Sequence, residues 1–294
     1  MLRISLLRVA WVTLPLTAGP AASAALQGWA DAPRVAAEVL LWLAWAGGLL
    51  ATLAPRPATL TALRVIAPCF VLAAVLAAVD GAPSTVATVG ALAATLLCAV
   101  LASGHDIAIA AANAMAYGDE QRFPLRVPPA LYAGLLPGAR LLVAAGVVAP
   151  VLLLADEQWI AGLAALMIGA PIAFFLSRSL HTLSRRWAVL VPAGFVVVDP
   201  FTLADPVLFL RERLRTVTPF GTDPAPDGFL DLRLGASAGS IAVGFDEPAE
   251  LFTASRARRG GETVEATGLV VAAVRRDELL AAATARRLPV RAGT

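Results

Sequence analysis

The stretch of sequence that decides the fold is VIAPCFVLAAVLAAVDGAPSTVATVGALAATLLCAVL, residues 65–101. It contains two apolar runs, predicted at Val65–Val79 and Val86–Leu101, and Asp80 is its one charged residue. Asp80-Gly81-Ala82-Pro83 predicts a tight turn between the runs, because glycine and proline interrupt regular structure. An apolar helix of about 20 residues crosses a hydrocarbon layer about 30 Å thick. The stretch therefore predicts two membrane-spanning helices joined by a short loop.

Four more apolar runs flank this pair. They are predicted within residues 5–26, 35–53, 131–154 and 159–176. These runs are longer than the roughly 10 residues of a membrane β-strand and lack its apolar–polar alternation, which favours helices. The sequence therefore predicts an α-helical polytopic membrane domain of about six spans over residues 1–180.

The first run has a second interpretation. Arg3 and Arg8 begin it, and Ala22-Ser23-Ala24 near its end is typical of the small-residue cleavage site of a secretory signal. Cleavage there would leave about five spans. We prefer an uncleaved first span. Both interpretations place residue 30 outside, so the orientation of the later spans is the same.

The charges between the runs predict an orientation. Arginines follow the second and fourth runs, and carboxylates follow the third and fifth. The arginines are Arg56, Arg64, Arg122 and Arg126, and the carboxylates are Asp80, Asp156 and Glu157. Arginine in short loops marks the cytoplasmic side, and Arg34 is the exception here. We therefore expect a multi-pass protein of the bacterial plasma membrane with a cytoplasmic C-terminus.

The composition supports the membrane assignment. The chain is 59% hydrophobic and 15% charged, whereas soluble domains are about 45–50% apolar and about 25% charged. A net charge of +2 and the absence of basic runs with interleaved aromatics argue against nucleic acid as a partner. All 23 basic residues are arginine, which is typical of a GC-rich bacterial genome and suggests an actinobacterium. Cys69 and Cys98 lie inside apolar runs, where free thiols behave as small hydrophobes.

The last part of the chain, residues 181–294, has a different pattern. Short β-type runs at 187–191 and 195–198 surround Pro192-Ala193-Gly194 and predict a hairpin. Further candidate strands are Val207–Thr218, Phe229–Leu234, Ser240–Phe245 and Gly268–Val274. Asp277–Arg287 predicts a helix, since it begins with carboxylates and ends with arginines. The sequence therefore predicts a cytoplasmic β-rich domain that ends in one helix.

The stretch RRWAVLVPAGFVVVDP, residues 185–200, carries a family resemblance. Together with the order of short strands and one terminal helix, it resembles uncharacterised actinobacterial multi-pass membrane proteins with a C-terminal cytoplasmic domain of the pleckstrin-homology-like (PH-like) kind. The resemblance implies a PH-like fold for residues 181–294.

Five arginines form the best candidate site. Arg185 and Arg186 directly follow the last predicted span, and Arg256, Arg258 and Arg259 lie together in a predicted loop. Basic residues next to a membrane attract anionic lipid by about 1 kcal/mol each. If the domain folds back, the two groups could bracket a lipid headgroup or a protein partner. The alternative is that the first pair only sets the topology and that the loop is solvated.

Other charged residues give weaker signals. Glu38 lies one turn into the second run and could pair with Arg34, four residues earlier on the same helical face. Arg140 follows a proline-rich start and can reach the headgroups. His105 and Asp106 follow the fourth run, but their spacing fits no zinc motif. We expect no metal and no cofactor.

No nucleophile elbow, zinc-protease motif or phosphate-binding loop occurs in the sequence. We therefore expect a non-enzymatic anchor or scaffold whose cytoplasmic domain docks a protein or inner-leaflet lipid. One alternative is a small transporter or transporter subunit, with a polar path along Thr52, Thr85, Thr88 and Thr95. A second alternative is a lipid-modifying membrane enzyme that uses His105 and Asp106.

Overall fold

The computed structural model describes residues 2–80, 84–132, 134–254 and 261–291. The chain forms two compact units: the first comprises Met1–Ala111 and Leu136–His181, and the second comprises Ala112–Leu135 and Thr182–Thr294. The expected division into 1–180 and 181–294 is therefore incomplete. Residues 112–135 lie between two parts of the first unit in sequence, yet they fold with the second unit.

The predicted first span is divided into three short helices. They are α1 (Leu2–Val12), α2 (Leu14–Thr17) and α3 (Gly19–Leu26). Pro15 and Pro20 lie in the first turns of α2 and α3. Proline has no N–H and fits best at the start of a helix, so each proline favours a new start. One continuous first span, as expected from the sequence, is not what forms.

The other apolar runs form long helices. The remaining helices up to residue 183 are α4 (Asp31–Leu53), α5 (Pro57–Val79), α6 (Thr85–Ser103), α7 (His105–Asn113), α8 (Pro129–Tyr132), α9 (Leu135–Ala155) and α10 (Trp159–Leu183). Among the described residues, five helices, namely α4, α5, α6, α9 and α10, are long and apolar enough to cross a membrane. Apolar helices of spanning length are thus confirmed, but the described chain has five rather than about six.

Small residues allow close helix packing in the first unit. Gly146 of α9 and Gly169 of α10 face each other so closely that a Cβ on Gly146 would lie 2.5 Å from the Gly169 carbonyl oxygen. Gly48 of α4 lies against the buried ring of Trp11, and a Cβ there would overlap that ring. Close backbone approach of this kind is how helices associate in lipid, where apolar side chains gain nothing from leaving solvent.

The second unit contains two four-stranded sheets and a terminal helix. The first sheet contains β1 (Gln121–Pro124), β2 (Trp187–Val191), β3 (Gly194–Val198) and β4 (Val207–Leu210), in that order and antiparallel throughout. The second contains β5 (Leu214–Pro219), β6 (Phe229–Asp231), β7 (Ser240–Thr253) and β8 (Glu262–Ala272), in the order β5-β7-β8-β6. Strand β6 runs parallel to β8. The helix is α11 (Arg276–Ala285).

One hydrophobic core joins both sheets and the helix. Phe209 of β4 stacks on Phe245 of β7, with 4.4 Å between the ring centroids. Leu279 and Ala283 of α11 are fully buried in the same core. The prediction of a β-rich C-terminal region that ends in a helix is therefore confirmed.

The structure also refines the predicted strands. The hairpin of β2 and β3 is present, with a two-residue loop, because Val191 pairs directly with Gly194. The candidate strand Val207–Thr218 is two strands in different sheets, since a 3₁₀ turn at Arg211–Arg213 separates β4 from β5. The predicted turn at 80–83 falls mostly on residues 81–83, which lie outside the described residues.

Strand β1 constrains the membrane topology. It lies in the segment before α9, and its partner β2 follows α10. Paired strands lie on the same side of a membrane, so α9 and α10 must cross it as a pair or not at all. This constraint is independent of which side is cytoplasmic.

Candidate functional site

Arg186 is buried, contrary to the expectation that it belongs to an exposed basic cluster. Its side chain is 1% exposed and that of Asp199 is 0% exposed. The guanidinium donates two hydrogen bonds to the Asp199 carboxylate, from Nε to Oδ1 at 2.8 Å and from Nη2 to Oδ2 at 2.7 Å. It also donates to the carbonyl oxygens of Arg126 and Leu232, each at 2.9 Å. A guanidinium held in this way is not accessible to a lipid headgroup.

The hairpin register explains this ion pair. Trp187 and Val198 are the last paired residues of β2 and β3, so Arg186 and Asp199 come next on their strands. The carbonyl groups that Arg186 binds follow β1 and β6, which belong to different sheets. The pair therefore connects the hairpin to β1 and to the second sheet.

Of the other four predicted site residues, the structure describes only Arg185. Arg185 is exposed and lies two residues before β2. Arg256, Arg258 and Arg259 lie outside the described residues, so their approach to Arg185 stays a prediction. Among the described residues of the predicted cluster, Arg185 is therefore the one whose side chain can reach a lipid headgroup or a partner.

The outer face of the first sheet is apolar. We use this name for the side chains that point away from the core, which are Trp187, Val189, Val191, Val196, Val198, Leu208 and Leu210. Directly paired residues share a face of an antiparallel sheet, and Val189, Val196 and Leu208 are paired in one row. The opposite face supplies the core through residues such as Leu190 and Phe209. Both faces are therefore apolar, whereas an antiparallel sheet commonly has one polar face.

The β1 and β2 side of the outer face is covered within the second unit. Ala112 packs on Trp187 and Val189. The Arg122 guanidinium carbon lies 4.9 Å from the centroid of the Trp187 ring, a cation–π contact. Arg122 Nε also donates to Glu120 Oε1 at 2.7 Å, and this hydrogen bond, only partly offset by burial, lowers the pKa of Glu120.

The β4 side of the outer face is open. Leu208 is 48% exposed and Leu210 is 42% exposed. The chain then continues into the exposed 3₁₀ turn with Arg211 and Arg213, while Glu212 between them offsets one charge. The Arg211 guanidinium donates to the Pro192 carbonyl at 2.8 Å, which holds it beside the hairpin loop. We call Leu208, Leu210, Arg211 and Arg213 the basic–apolar edge.

A cavity of about 350 Å³ lies in the first unit among α2, α3, α4 and α5. Its lining is mainly apolar, with aromatic rings from Trp42, Trp45 and Phe70, and among the described residues Glu38 is the one charged residue that lines it. The expected pair between Glu38 and Arg34 is absent from the described residues, because Arg34 Nη2 instead binds Asp31 Oδ1 at 2.8 Å.

Reciprocal hydrogen bonds hold one wall of this cavity. The Trp45 indole N–H donates to the Trp11 carbonyl, and the Trp11 indole N–H donates to the Trp45 carbonyl, both at 2.9 Å. In a continuous helix the N–H of residue 15 would bind the Trp11 carbonyl, but Pro15 has none. The indole of Trp45 takes its place.

Three residues named for the two alternative functions, Asp106, Thr52 and Thr95, form contacts within the described chain. Asp106 forms an ion pair with Arg3, at 3.4 Å between Oδ2 and Nη1. The hydroxyl groups of Thr52 and Thr95 donate to carbonyl oxygens of their own helices at 2.8 Å, and both residues are buried. Within the described part of the chain, no group of three or more His, Cys, Asp or Glu is placed to hold a metal ion.

Two features of the site escaped the sequence analysis, although signals for both exist. Arg186 and Asp199 are equally far from the observed two-residue loop, and the hairpin predicted around Pro192-Ala193-Gly194 already placed them within one position of each other. Glu38, Trp42 and Trp45 follow a spacing of four and three residues, which places them on one face of α4.

Searches against family models, curated proteins and solved structures find no match for this chain.

Proposed function

We propose that this protein is a non-enzymatic membrane anchor whose β-rich unit binds the anionic surface of the cytoplasmic leaflet. The observation that carries the proposal is the basic–apolar edge. Two leucines are exposed on a sheet whose other face already forms the core, and Arg211 and Arg213 lie in the exposed turn that follows them. A membrane interface matches this combination, because its acyl region accepts leucine and its phosphates attract arginine.

The expected contributions of these side chains to the binding free energy are large enough for membrane binding. An arginine near an anionic surface contributes about 1 kcal/mol, and full burial of a leucine contributes about 1.5–3 kcal/mol. Arg185 precedes β2 at the end of the sheet opposite Arg211, so cations lie at both ends of the outer face. Arg256, Arg258 and Arg259 would add to the same attraction.

The proposal includes a PH-like fold and a cytoplasmic location for the second unit. Two packed sheets followed by one helix support the PH-like assignment. Strand β1, supplied by residues 121–124, and the parallel strand β6 are additions to the expected order. The loop arginines Arg122 and Arg126 belong to the second unit, so the arginine rule assigns the loop and the tail to the same cytoplasmic side.

The test uses the full chain in lipid nanodiscs, because an isolated tail of residues 185–294 would lack β1 and the Arg126 carbonyl. A benzophenone amino acid replaces Leu208, and the matched control replaces Leu234, which is 41% exposed in the turn after β6. We expect lipid adducts at position 208, detected by mass spectrometry, and more of them with phosphatidylglycerol than with phosphatidylcholine.

Charge variants complete this test. Arg211→Gln combined with Arg213→Gln should lower the adduct yield in phosphatidylglycerol several-fold and leave the yield in phosphatidylcholine unchanged. Equal lipid adducts at positions 208 and 234 would contradict the proposal. Protein adducts at position 208 in cells, without lipid adducts, would assign the same edge to a cytoplasmic protein partner instead.

A further inference from the structure

We propose that the cavity among α2, α3, α4 and α5 binds a lipophilic organic cation. The positive charge would lie against the Glu38 carboxylate, and the apolar body against Trp42, Trp45 and Phe70. The cavity volume of about 350 Å³ falls within the range of about 300–1,000 Å³ found for small-molecule sites. This inference does not depend on the proposed lipid binding by the second unit.

The first argument is the position of Glu38. It lies seven residues after the start of α4 at Asp31, which corresponds to about 10 Å along the helix axis. Glu38 lines the cavity, although the residue is exposed overall, and an ionisable residue within an apolar helix is a candidate for a functional site. Among the described residues, no basic side chain pairs with it, and the nearby Arg34 binds Asp31. A bound cation would supply the missing partner.

The second argument is the aromatic wall. The rings of Trp42 and Trp45 are perpendicular, with 5.4 Å between centroids. The ring of Phe70 meets that of Trp11 edge-on at 5.7 Å, and the reciprocal indole bonds fix Trp45. Aromatic faces attract organic cations, and tryptophan does so most strongly. The wall is therefore formed before a ligand arrives.

The third argument is the geometry of the broken N-terminal segment. Pro15 and Gly19, at the junctions of α1–α2 and α2–α3, line the cavity. The breaks in the first apolar run therefore lie at the wall of the cavity.

Other ligand classes fit the lining less well. A calcium ion takes six or more oxygen ligands, and magnesium needs an octahedral set, whereas the described residues place only one carboxylate, that of Glu38, in the lining. An acyl chain would fill the apolar part but would leave the carboxylate without a cation. A ligand with a single positive charge and an apolar body can pair with the Glu38 carboxylate and also fill the apolar part of the cavity.

The test measures binding of radiolabelled tetraphenylphosphonium to the full chain in phosphatidylcholine nanodiscs, with empty nanodiscs as the blank. Benzyltrimethylammonium and its neutral isostere neopentylbenzene serve as competitors. We expect saturable binding, and we expect the cation to compete at least ten-fold better than the neutral isostere. Glu38→Gln should weaken binding at least ten-fold.

The matched control is Asp80→Asn, which removes an exposed carboxylate at the end of α5, outside the cavity. It should bind as the unchanged protein does. Unchanged thermal unfolding of Glu38→Gln shows that its loss of binding is not loss of fold. Equal competition by the two isosteres, or full binding by Glu38→Gln, overturns the proposal and assigns the cavity to neutral apolar ligands.

Discussion

The two units are stabilised by different kinds of contact. In the first unit, glycines bring backbones and rings together, as at Gly146 with Gly169 and at Gly48 with Trp11. In the second unit, a two-sheet core surrounds the fully buried ion pair of Arg186 and Asp199. Close glycine packing is expected for helices in lipid, and a buried core is expected for a domain in water.

Lipid explains the first case. A leucine side chain has a similar free energy in lipid and between helices, so apolar burial alone gives little helix association. Van der Waals contact between closely packed helices must therefore hold the first unit together. Water explains the second case, since burial of apolar side chains there contributes about 25 cal/mol per Å². A core held by burial tolerates several arrangements of similar stability, and the directional bonds of Arg186 favour one of them. That specificity role is our hypothesis for this pair.

Removal of Arg186 should have the largest effect and tests the second half of this comparison. Arg186→Met leaves the Asp199 carboxylate buried without its cation, which costs about 3–5 kcal/mol for a buried pair. We expect faster hydrogen exchange of the amides in β2 and β3, measured by mass spectrometry on the full chain in nanodiscs. Exchange in α4 and α5 should not change.

Two variants control this experiment. Arg185→Met removes the exposed neighbour and should change stability by less than about 0.5 kcal/mol. Arg186→Met with Asp199→Leu removes both charges and should recover part of the lost protection, because no buried charge is left alone. If Arg185→Met and Arg186→Met are equally protected, the ion pair does not hold the second unit together.

The neighbouring glycines Gly47 and Gly48 test the first half of the comparison. A Cβ at Gly48 would overlap the Trp11 ring, whereas a Cβ at Gly47 would lie 3.7 Å from Ile66 Cδ1, an ordinary contact. Gly48→Ala should therefore destabilise the first unit by about 1–3 kcal/mol through overpacking. Gly47→Ala should be neutral or stabilising, since alanine is favoured over glycine in helices by about 1 kcal/mol.

Thermal unfolding of both variants in the same detergent measures this difference. The Gly48→Ala variant should also show altered tryptophan fluorescence, because Trp11 and Trp45 are bonded to each other. Equal melting temperatures for the two variants would mean that the contact between Trp11 and α4 adjusts without cost. The glycine would then carry no packing role.

The sequence predicts the parts of this fold that depend on local pattern. Apolar run length is enough to find α4 to α6, α9 and α10, and the two short β-type runs around Pro192-Ala193-Gly194 are enough to find the β2–β3 hairpin. Local charge also predicts the two ends of the terminal helix. The predicted helix Asp277–Arg287 and the observed α11 differ by at most two residues at either end.

The remaining parts depend on contacts that are distant in sequence. Strand β1 is only QRFP, without alternation, and it is a strand because β2 supplies its partner from beyond α9 and α10. The exposure of Leu208 depends on which sheet β4 joins, and the cavity at Glu38 depends on the three-part N-terminal segment. None of these follows from a local pattern.

The smallest predicted effect concerns how β1 is attached, and it depends on pH. Arg122 Nε and the Tyr117 N–H both donate to the Glu120 carboxylate, at 2.7 Å and 3.1 Å. The hydrogen bond from Arg122, opposed by burial, sets a folded-state pKa below the ordinary value of 4.5. The ionised form therefore stabilises the folded state above that ordinary value, and the contribution disappears as the pH falls through the folded-state pKa.

Glu120→Gln should consequently lower the stability of the second unit by less than about 1 kcal/mol at pH 7, and the difference should vanish in acid. Trp187 is the one tryptophan in the second unit's sequence, so its fluorine resonance in 5-fluorotryptophan-labelled protein reports urea unfolding of that unit alone. In an Arg122→Gln background the Glu120→Gln change should have a smaller effect, because the main donor that lowers the pKa is gone and the Tyr117 N–H remains. A difference that persists in acid would mean that Glu120 supports β1 by packing rather than by charge.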